Sequence, residues 1–443
     1  MLQGLTTMPL KVYIETYGCA LNKSDEALMI NSLESRGHKL VSTPDEADAI
    51  IINTCTVRLD TEYKMLSRIK QLRGLCVKSG KKLVVAGCMA KIQPYTISLI
   101  APEASLISPQ NSDKAYMAVE ARDRVLLLEG RRTRDLIGVC GGRSVVPIPV
   151  QEGCLSNCNF CIARHARREL ISHSIEAVFS AVKKAVESGA VEIELTGMDL
   201  GVYGIDLYRK RALPELLRRI VEGLEGNYMI RIGMINPEHL KYMLDELVDV
   251  VKNSENLFKF LHIPLQSGSD RILRLMGRKY TVDEYRSIVK EIKKKIPGVS
   301  IATDIIVGYP GEDEEDFEET LKVMRELEFE RVHLAGYSIR PFTLAASMPQ
   351  INTNIKKERL RKALEVVVDV GLRVRKGYLY KLVKGFITEK TNTWIARLDN
   401  YIPVVIKKSY CGKLDYGMWI QVYVDEITFF DLRGYVTWSG DPP

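Results

Sequence analysis

Six of the nine cysteines in this 443-residue chain stand where thiolates suit iron–sulfur ligation. The run Gly153-Cys154-Leu155-Ser156-Asn157-Cys158-Asn159-Phe160-Cys161 has C-x3-C-x2-C spacing and follows a strand candidate. Three thiolates this close can grip three irons of a 4Fe–4S cube. The fourth iron then has no nearby protein ligand and stays open for a substrate. Zinc sites use four ligands, often two separated C-x2-C pairs, and this chain has no such second pair. Cys19, Cys55 and Cys88 follow a different logic, since each comes directly after a run that reads as a strand: IETYG, IINT and VVAG. In a parallel sheet the carboxyl ends of the strands share one edge, where such sheets bind ligands. One buried cysteine is often only a small hydrophobe. Three at one topological position predict a second three-thiolate site, and with it a second 4Fe–4S cluster with an accessible iron. Cys76, Cys140 and Cys411 fit neither set and read as structural.

The elements that must position these cysteines are legible as alternating patterns. KVYIETYG (11–18), DAIIINT (48–54) and KKLVVAG (81–87) read as strands. Between them lie a helix over 24–37, with Ser24 as N-cap and Gly37 as stop, and another from about Thr61 to Gly74. Parallel βαβ units follow from that order. The alternation restarts near 145, with strands expected at 145–153, 191–197, 228–235, 257–267, 299–310 and 331–339. Helices over Ser174–Ser188, Pro214–Leu224 and Asp283–Ile296 lie between them. Six βα units fall short of the eight that close a full barrel. The expectation is a partial (β/α)6 barrel open on one side, with an ordinary doubly wound sheet as the alternative that periodicity leaves open. The tail holds all three tryptophans, Trp394, Trp419 and Trp438, among short strands, and reads as a small β-barrel. The fold class is therefore α/β in three units: a parallel α/β domain over 1–135, the partial barrel over 140–375 and the β domain over 376–443.

Apolar residues make up 46% of the chain. No apolar run reaches the roughly 20 residues that span a bilayer, and the opening MLQGLTTMPL lacks the features of a secretory signal. A cytoplasmic protein with no membrane partner is expected, and its cysteines are too few for a disulfide scaffold. The net charge is +7, and ten basic residues face three acidic ones between Ile351 and Gly385. Such a segment suits a polyanionic partner or, equally, a solvated helix face. From Lys376 onward nine basic residues meet seven acidic ones, so the tail itself is only weakly positive.

The C-x3-C-x2-C run resembles the cluster loop of the radical S-adenosylmethionine superfamily. There the amino-acid end of the cofactor chelates the open iron, and one electron splits it into methionine and a 5′-deoxyadenosyl radical. That chemistry belongs to the cofactor, while the protein supplies placement. The resemblance implies that Phe160 contacts the adenine. It also implies that Thr196 and Gly197, in Leu195-Thr196-Gly197-Met198-Asp199, meet the methionine amino group, and that Arg231, Gln266 and Asp304 line the cofactor. Each has a plainer alternative on residues alone: a turn glycine, a strand-end cap for Asp304, an ion pair for Arg231.

Two three-cysteine sites and a tail of RNA-binding type resemble the methylthiotransferases over nearly the whole chain. Thr16-Tyr17-Gly18-Cys19 with Asn22 and Asp25, Asn53-Thr54-Cys55-Thr56-Val57, GYPGEDEEDFEET (308–320) and YSIRPFTLAA (337–346) carry the match. The last departs from the usual pattern, with Phe342-Thr343 where Gly-Thr is usual. The C-terminal module is similar to a TRAM domain. CLSNCNFCIARHARREL (154–170), LTGMDLGVYGID (195–206), RIGMINP (231–237), FLHIPLQSGSD (260–270) and IATDIIVGYPGE (301–312) look like the archaeal and eukaryotic tRNA enzymes of that family. Those act on N6-threonylcarbamoyladenosine beside the anticodon. The missing membrane anchor of the eukaryotic members points to the archaeal branch, and Arg168 stands where relatives have glycine.

What the resemblance implies is a transferase that inserts sulfur at C2 of the adenine and carries a methyl group with it. Two 4Fe–4S clusters on the six cysteines and S-adenosylmethionine would serve it, with an external electron donor, a sulfur donor and the tRNA anticodon loop as partners. Arg164, His165, Arg167 and Arg168 are candidates for the threonylcarbamoyl carboxylate or for phosphates, with helix-start ion pairing as their alternative. The basic segment Lys356–Lys384 and the tail would hold the RNA backbone. Two other readings stand beside this one: methylthiolation of a ribosomal protein side chain, and a non-catalytic RNA-binding iron–sulfur electron carrier or sensor.

Overall fold

The computed structural model describes residues 8–440. An N-terminal sheet of six parallel strands has the order Lys39–Leu40, Lys11–Thr16, Ala49–Thr54, Lys82–Gly87, Ser105–Ile107, Leu126–Leu127. The strand Ala49–Thr54 is buried along its whole length, as its apolar run requires, because helices cover both faces of a parallel sheet. Ile50 and Ile52 pack with Met65, Ile69 and Leu72 of helix Leu59–Ser79. Ile51 packs on the other face with Met29 and Leu33 of helix Ala20–Glu34. That second helix begins four residues before the expected cap. Cys19 is its N-cap, and Ser24 lies buried inside it with its hydroxyl donating to the Leu21 carbonyl at 2.8 Å. The chain turns at Gly18 directly from strand into helix, so no loop remains for Ser24 to cap.

Six parallel strands follow in chain order: Val145–Pro149, Glu192–Thr196, Met229–Ile232, Phe260–His262, Ser300–Val307 and Arg331–Gly336. The first three and the last three form two sheets, joined by single bridges from Ile230 to Leu257 and from Met234 to His262. Sequential order throughout agrees with six successive βα units; a doubly wound sheet would reverse. Helices Ile175–Glu187, Leu213–Gly223, Leu244–Asn253, Val282–Lys295 and Glu314–Leu327 fill the crossovers. The last two each open with a reciprocal capping box, Thr281 with Glu284 and Asp313 with Asp316. The long helix Thr353–Lys376 then folds back and adds Ala363, Val366 and Val370 to the same core.

The C-terminal strands Leu382–Lys390, Trp394–Arg397, Pro403–Ser409, Leu432–Gly440 and Trp419–Ile427, in that order, close into a barrel. It seals the amino ends of the six-strand array. The Tyr401 ring lies 4.8 Å from Phe258 and 4.9 Å from Phe260, and its hydroxyl donates to Glu192 at 2.6 Å. The carboxyl ends, where the cysteine loop sits, are left to a ligand. Among the described residues no helix is long and apolar enough to cross a membrane.

The basic segment is largely compensated within the chain. Arg359 is paired with Glu312 at 2.8 Å, Arg361 with Glu365 at 2.5 Å, Lys362 with Glu358 at 3.4 Å and Arg373 with Glu328 at 3.1 Å. Arg375 is buried against Glu330. The phosphate-binding face expected there narrows to five lysines without an ion pair among the described residues: Lys357, Lys376 and Lys381, with Lys356 and Lys384 lying over the Tyr337 and Trp419 rings. Helical i,i+4 spacing and packing against the barrel account for the difference, since both bring acids to the basic face.

Candidate functional site

The N-terminal triad is drawn together by two glycines in left-handed backbone, a conformation that suits glycine alone at little cost. Gly18 (φ +113) lies so close to Cys55 that a Cβ there would sit 2.8 Å from the Cys55 Cβ. Gly87 (φ +92) presses on the next strand end, where a Cβ would come within 2.6 Å of the Thr54 carbonyl. Cys19 and Cys88 are therefore seated beside Cys55. Asn22 fixes the arrangement from inside its helix, its amide donating to Tyr17 O at 2.8 Å and Thr54 O at 3.0 Å. Backbone N–H groups of Thr56 and Val57 face the Cys55 sulfur, yet burial pushes its thiol up and that of Cys88 up to about 12. Metal-free Cys55 and Cys88 thus keep protons that a bound metal would displace.

The second triad occupies the loop after Gln151–Glu152. Asn159 ties that loop down, its N–H donating to Met276 O and its amide to Leu275 O, both at 2.9 Å. The Cys154 sulfur accepts from the Ser156 N–H at 3.3 Å. Cys158 accepts from the guanidinium of Arg278, also at 3.3 Å. Arg278 is itself buried and held by the Pro264 carbonyl at 3.1 Å. N–H groups of Ala163 and Arg164 point at Cys161, while burial raises that thiol and takes Cys154 up to about 12.

These donor sets fit iron–sulfur cubes. All nine cysteines are free thiols, N–H groups converge on the sulfurs, and a buried cation stands against Cys158 to offset cluster charge. His262, Asp304 and His333 bring their ligating atoms within 4.8 Å of one another.

The segments that carry the two triads meet. Cys88 and Ile92 pack directly on Ile162 and Ala166, behind the second loop. A cavity of about 280 Å³ opens beside them. Val57 and Arg58, just after Cys55, line one side, Phe160 and Cys161 another, and Gln266 and Asp304 the floor. Phe160 is set edge-on to Tyr309, with ring centroids 6.4 Å apart. The Gln266 Oε1 atom is buried without a partner, and Asp304 is oriented by His262 at 3.1 Å.

Other expected residues lie elsewhere. Thr196 is buried at its strand end, and Gly197 packs against Gln151; neither lines the cavity. Asp199 is tied to Gly201 and Asn236 N–H groups, both at 3.0 Å, and to His239 at 2.7 Å. Its carboxylate lies 4.0 Å from the Cys154 sulfur. Arg231 pairs with Glu194 at 3.3 Å and lines a second, charged chamber of about 760 Å³ toward the C-terminal barrel. The ion-pair alternative is the one the structure takes: the Arg231 side chain turns to Glu194 and lines that charged chamber, not the cavity of Gln266 and Asp304. Arg167 is corrected too, being only 2% exposed. Its guanidinium is taken up by Asp25, by Glu152 at 3.2 Å and by Asn22 at 3.2 Å, since packing of helix Ala163–Ala166 on Cys88 turns position 167 inward. His165 and Arg168 stay exposed and Arg164 half-buried; neither arginine has an ion pair among the described residues. The sequence reading missed Arg278, which lies 120 residues from Cys158, and Arg58; in both cases no local pattern marked them.

Residues 11–108 match the model of uncharacterized protein family UPF0004, and residues 148–324 match that of the radical SAM superfamily. In fold the chain is similar to the radical S-adenosylmethionine methyltransferase TsrM from Kitasatospora setae. The TM-score is 0.57 at 13% identity, over 76% of this chain and 77% of that one. Fold and cysteine loop together define a radical S-adenosylmethionine enzyme that uses iron–sulfur chemistry. Sequence relatives narrow the class. A Methanocaldococcus jannaschii protein described as a probable threonylcarbamoyladenosine tRNA methylthiotransferase is 36% identical over 434 residues, covering 96% of this chain and 97% of its own. One from Pyrococcus abyssi with the same description is 38% identical over 385 residues, covering 85% and 88%. The human threonylcarbamoyladenosine tRNA methylthiotransferase is 34% identical over 363 residues, covering 79% and 61%. The chain belongs to the threonylcarbamoyladenosine tRNA methylthiotransferase family.

Proposed function

We propose that this enzyme adds a methylthio group to C2 of N6-threonylcarbamoyladenosine next to the tRNA anticodon. One 4Fe–4S cluster would rest on Cys154, Cys158 and Cys161, a second on Cys19, Cys55 and Cys88. The observation that carries this reading is the shared cavity, where Phe160 and Cys161 of one triad's loop face Val57 and Arg58 behind the other. A single radical site would need no such neighbour. The activity named for the relatives supplies the substrate. When bound, the clusters and S-adenosylmethionine supply a carbon radical strong enough for an aromatic C–H bond, and a sulfur to replace the hydrogen.

The protein's own part is placement. Phe160 offers its ring to the adenine of the cofactor, and Gln266 and Asp304 offer acceptors to its polar groups. Arg58, Arg164 and Arg168, without ion pairs among the described residues, suit the threonylcarbamoyl carboxylate and the phosphates of the loop. The anticodon loop is single-stranded, so a base can swing out of it at small cost. The packing of Cys88 and Ile92 on Ile162 and Ala166 keeps water from between the two cysteine sites. In this reading the units are 1–135, 140–375 as an open barrel, and 376–443 as a TRAM-like RNA-binding module. The protein works in the cytoplasm with an external electron donor and sulfur donor.

The test is anaerobic reconstitution with iron and sulfide, then incubation with tRNA, S-adenosylmethionine and dithionite. Nucleoside mass spectrometry should find a methylthio mass gain on threonylcarbamoyladenosine. An unchanged nucleoside despite 5′-deoxyadenosine release would contradict the substrate assignment, and a labelled methyl group in protein would favour a ribosomal target.

A further inference from the structure

Phe342 combines two costly features two residues beyond Arg340, which lines the cavity. Its φ is +65, left-handed backbone that a bulky side chain rarely adopts, and its ring is 69% exposed. The loop that carries it is firmly held. The Thr343 hydroxyl donates to the Arg340 carbonyl at 2.8 Å, and the Ala345 N–H donates to the Asn159 carbonyl of the cysteine loop at 3.0 Å. Strain of this kind persists only where the surroundings impose it, and it gathers at functional sites. A glycine here would relieve both the strain and the exposure, and this chain carries phenylalanine against both. The ring sits beside His165, centroids 6.3 Å apart and planes inclined by 58°. His165 follows the radical-site cysteines. Arg164 and Arg168 flank it without ion pairs among the described residues, and Arg58 stands across the cavity. An exposed aromatic pair among unpaired guanidiniums is the composition of a platform for single-stranded nucleic acid.

We propose that Phe342, with His165 behind it, is a stacking platform for the nucleobase that neighbours the one entering the cavity. This rests on the tRNA reading above. Phe342 is a positioning residue: a flanking base laid on its ring fixes how far the target nucleotide reaches inward. The apolar face accepts any base, so selectivity would stay with the cavity and the arginines.

The test uses the full-length reconstituted enzyme and an anticodon stem-loop carrying threonylcarbamoyladenosine, with 2-aminopurine at each flanking position in turn. Wild type should quench the probe at one flank. Phe342→Gly should bind about 5-fold more weakly or worse, the loss of one base stack, with that quenching gone. Phe342→Tyr or Phe342→Trp should restore both. An abasic residue at that flank should weaken wild type by a similar factor and leave Phe342→Gly unaffected, a coupling that a merely structural role would not produce. Equal binding by wild type and Phe342→Gly, or additive losses at both flanks, overturns the platform and leaves the substrate assignment standing. A stem-loop that wild type does not bind overturns the assignment and the platform together. A change in oligomeric state on Phe342→Gly without base coupling makes the ring a contact between copies and also overturns the proposal.

Discussion

At the scale of single residues, the chemistry depends on what stands against sulfur. Arg278 brings a buried positive charge to Cys158. A positive charge stabilises the reduced, more negative cluster, so Arg278→Met should lower the reduction potential of the radical-site cluster by something on the order of tens of millivolts. A potentiometric titration followed by electron paramagnetic resonance reads this directly, and an unchanged potential would show that the guanidinium serves packing only. The placement of Cys19, Cys55 and Cys88 after neighbouring parallel strands was legible from repeated strand ends, and that of Cys154, Cys158 and Cys161 in one loop from short-range spacing. Arg278 was not, since it reaches Cys158 across 120 residues and nothing around it in sequence announces a thiolate partner. Arg167 failed the other way. Its neighbours Arg164 and Arg168 look the same in sequence, and only the seating of one short helix on Cys88 decides which of the three is buried.

Among the elements, the decisive contact joins the N-terminal sheet to the six-strand array. Asp25 of helix Ala20–Glu34 and Glu152 ahead of the cysteine loop share Arg167 and Arg132, with Arg132 in the connecting segment and 2.6 Å from Glu152. Removing one partner of such a buried set strands the others, which typically costs about 3–5 kcal/mol. Arg167→Ala should therefore lower the stability by about that much in urea denaturation; a loss below about 1 kcal/mol would mean that water replaces the pair. His173 belongs to the same junction. It is 2% exposed, accepts from the Asp135 N–H at 2.9 Å, and is pushed down from 6.5 to about 4 by burial and the charge of Arg132. Its folded value lies below the unfolded one, so the unfolded chain takes up the proton first as pH falls. Stability is then complete above about pH 6.5 and declines toward pH 4, by about 1.4 kcal/mol per unit. Urea midpoints compared between pH 7.5 and 5 should fall less steeply in His173→Gln than in wild type; equal slopes would place the acid sensitivity elsewhere. The six strands of the second domain were readable from apolar runs and their spacing, whereas Lys39–Leu40, Ser105–Ile107 and Leu126–Leu127 of the N-terminal sheet are too short to show a pattern. The helix start at Ala20 was not readable either, because Ser24 looks like a cap unless one knows that Gly18 has already turned the chain.

For the whole molecule, the C-terminal barrel closes one end of the strand array, and Arg58, Arg164 and Arg168, without ion pairs among the described residues, stand at the other. The charge count of the sequence put the basic face on the helix Thr353–Lys376, where ion pairs absorb most of it. Charge excess along a chain cannot tell paired from unpaired cations; only the fold can. Affinity for tRNA should accordingly weaken with salt through the cavity rim. Arg164→Ala should reduce the slope of log affinity against log salt by about 0.7–0.9 for each phosphate that Arg164 neutralises. Arg361→Ala, at a residue already paired with Glu365, should leave the slope unchanged, and the reverse pattern would return RNA binding to the helix. All of this presumes two clusters at one cavity, and counting iron tests that most directly. After anaerobic reconstitution and desalting, the wild-type chain should hold about eight irons. Cys154→Ala/Cys158→Ala/Cys161→Ala and Cys19→Ala/Cys55→Ala/Cys88→Ala should each hold about four. About four irons in the wild type, with none lost when Cys19, Cys55 and Cys88 are replaced, would contradict the account.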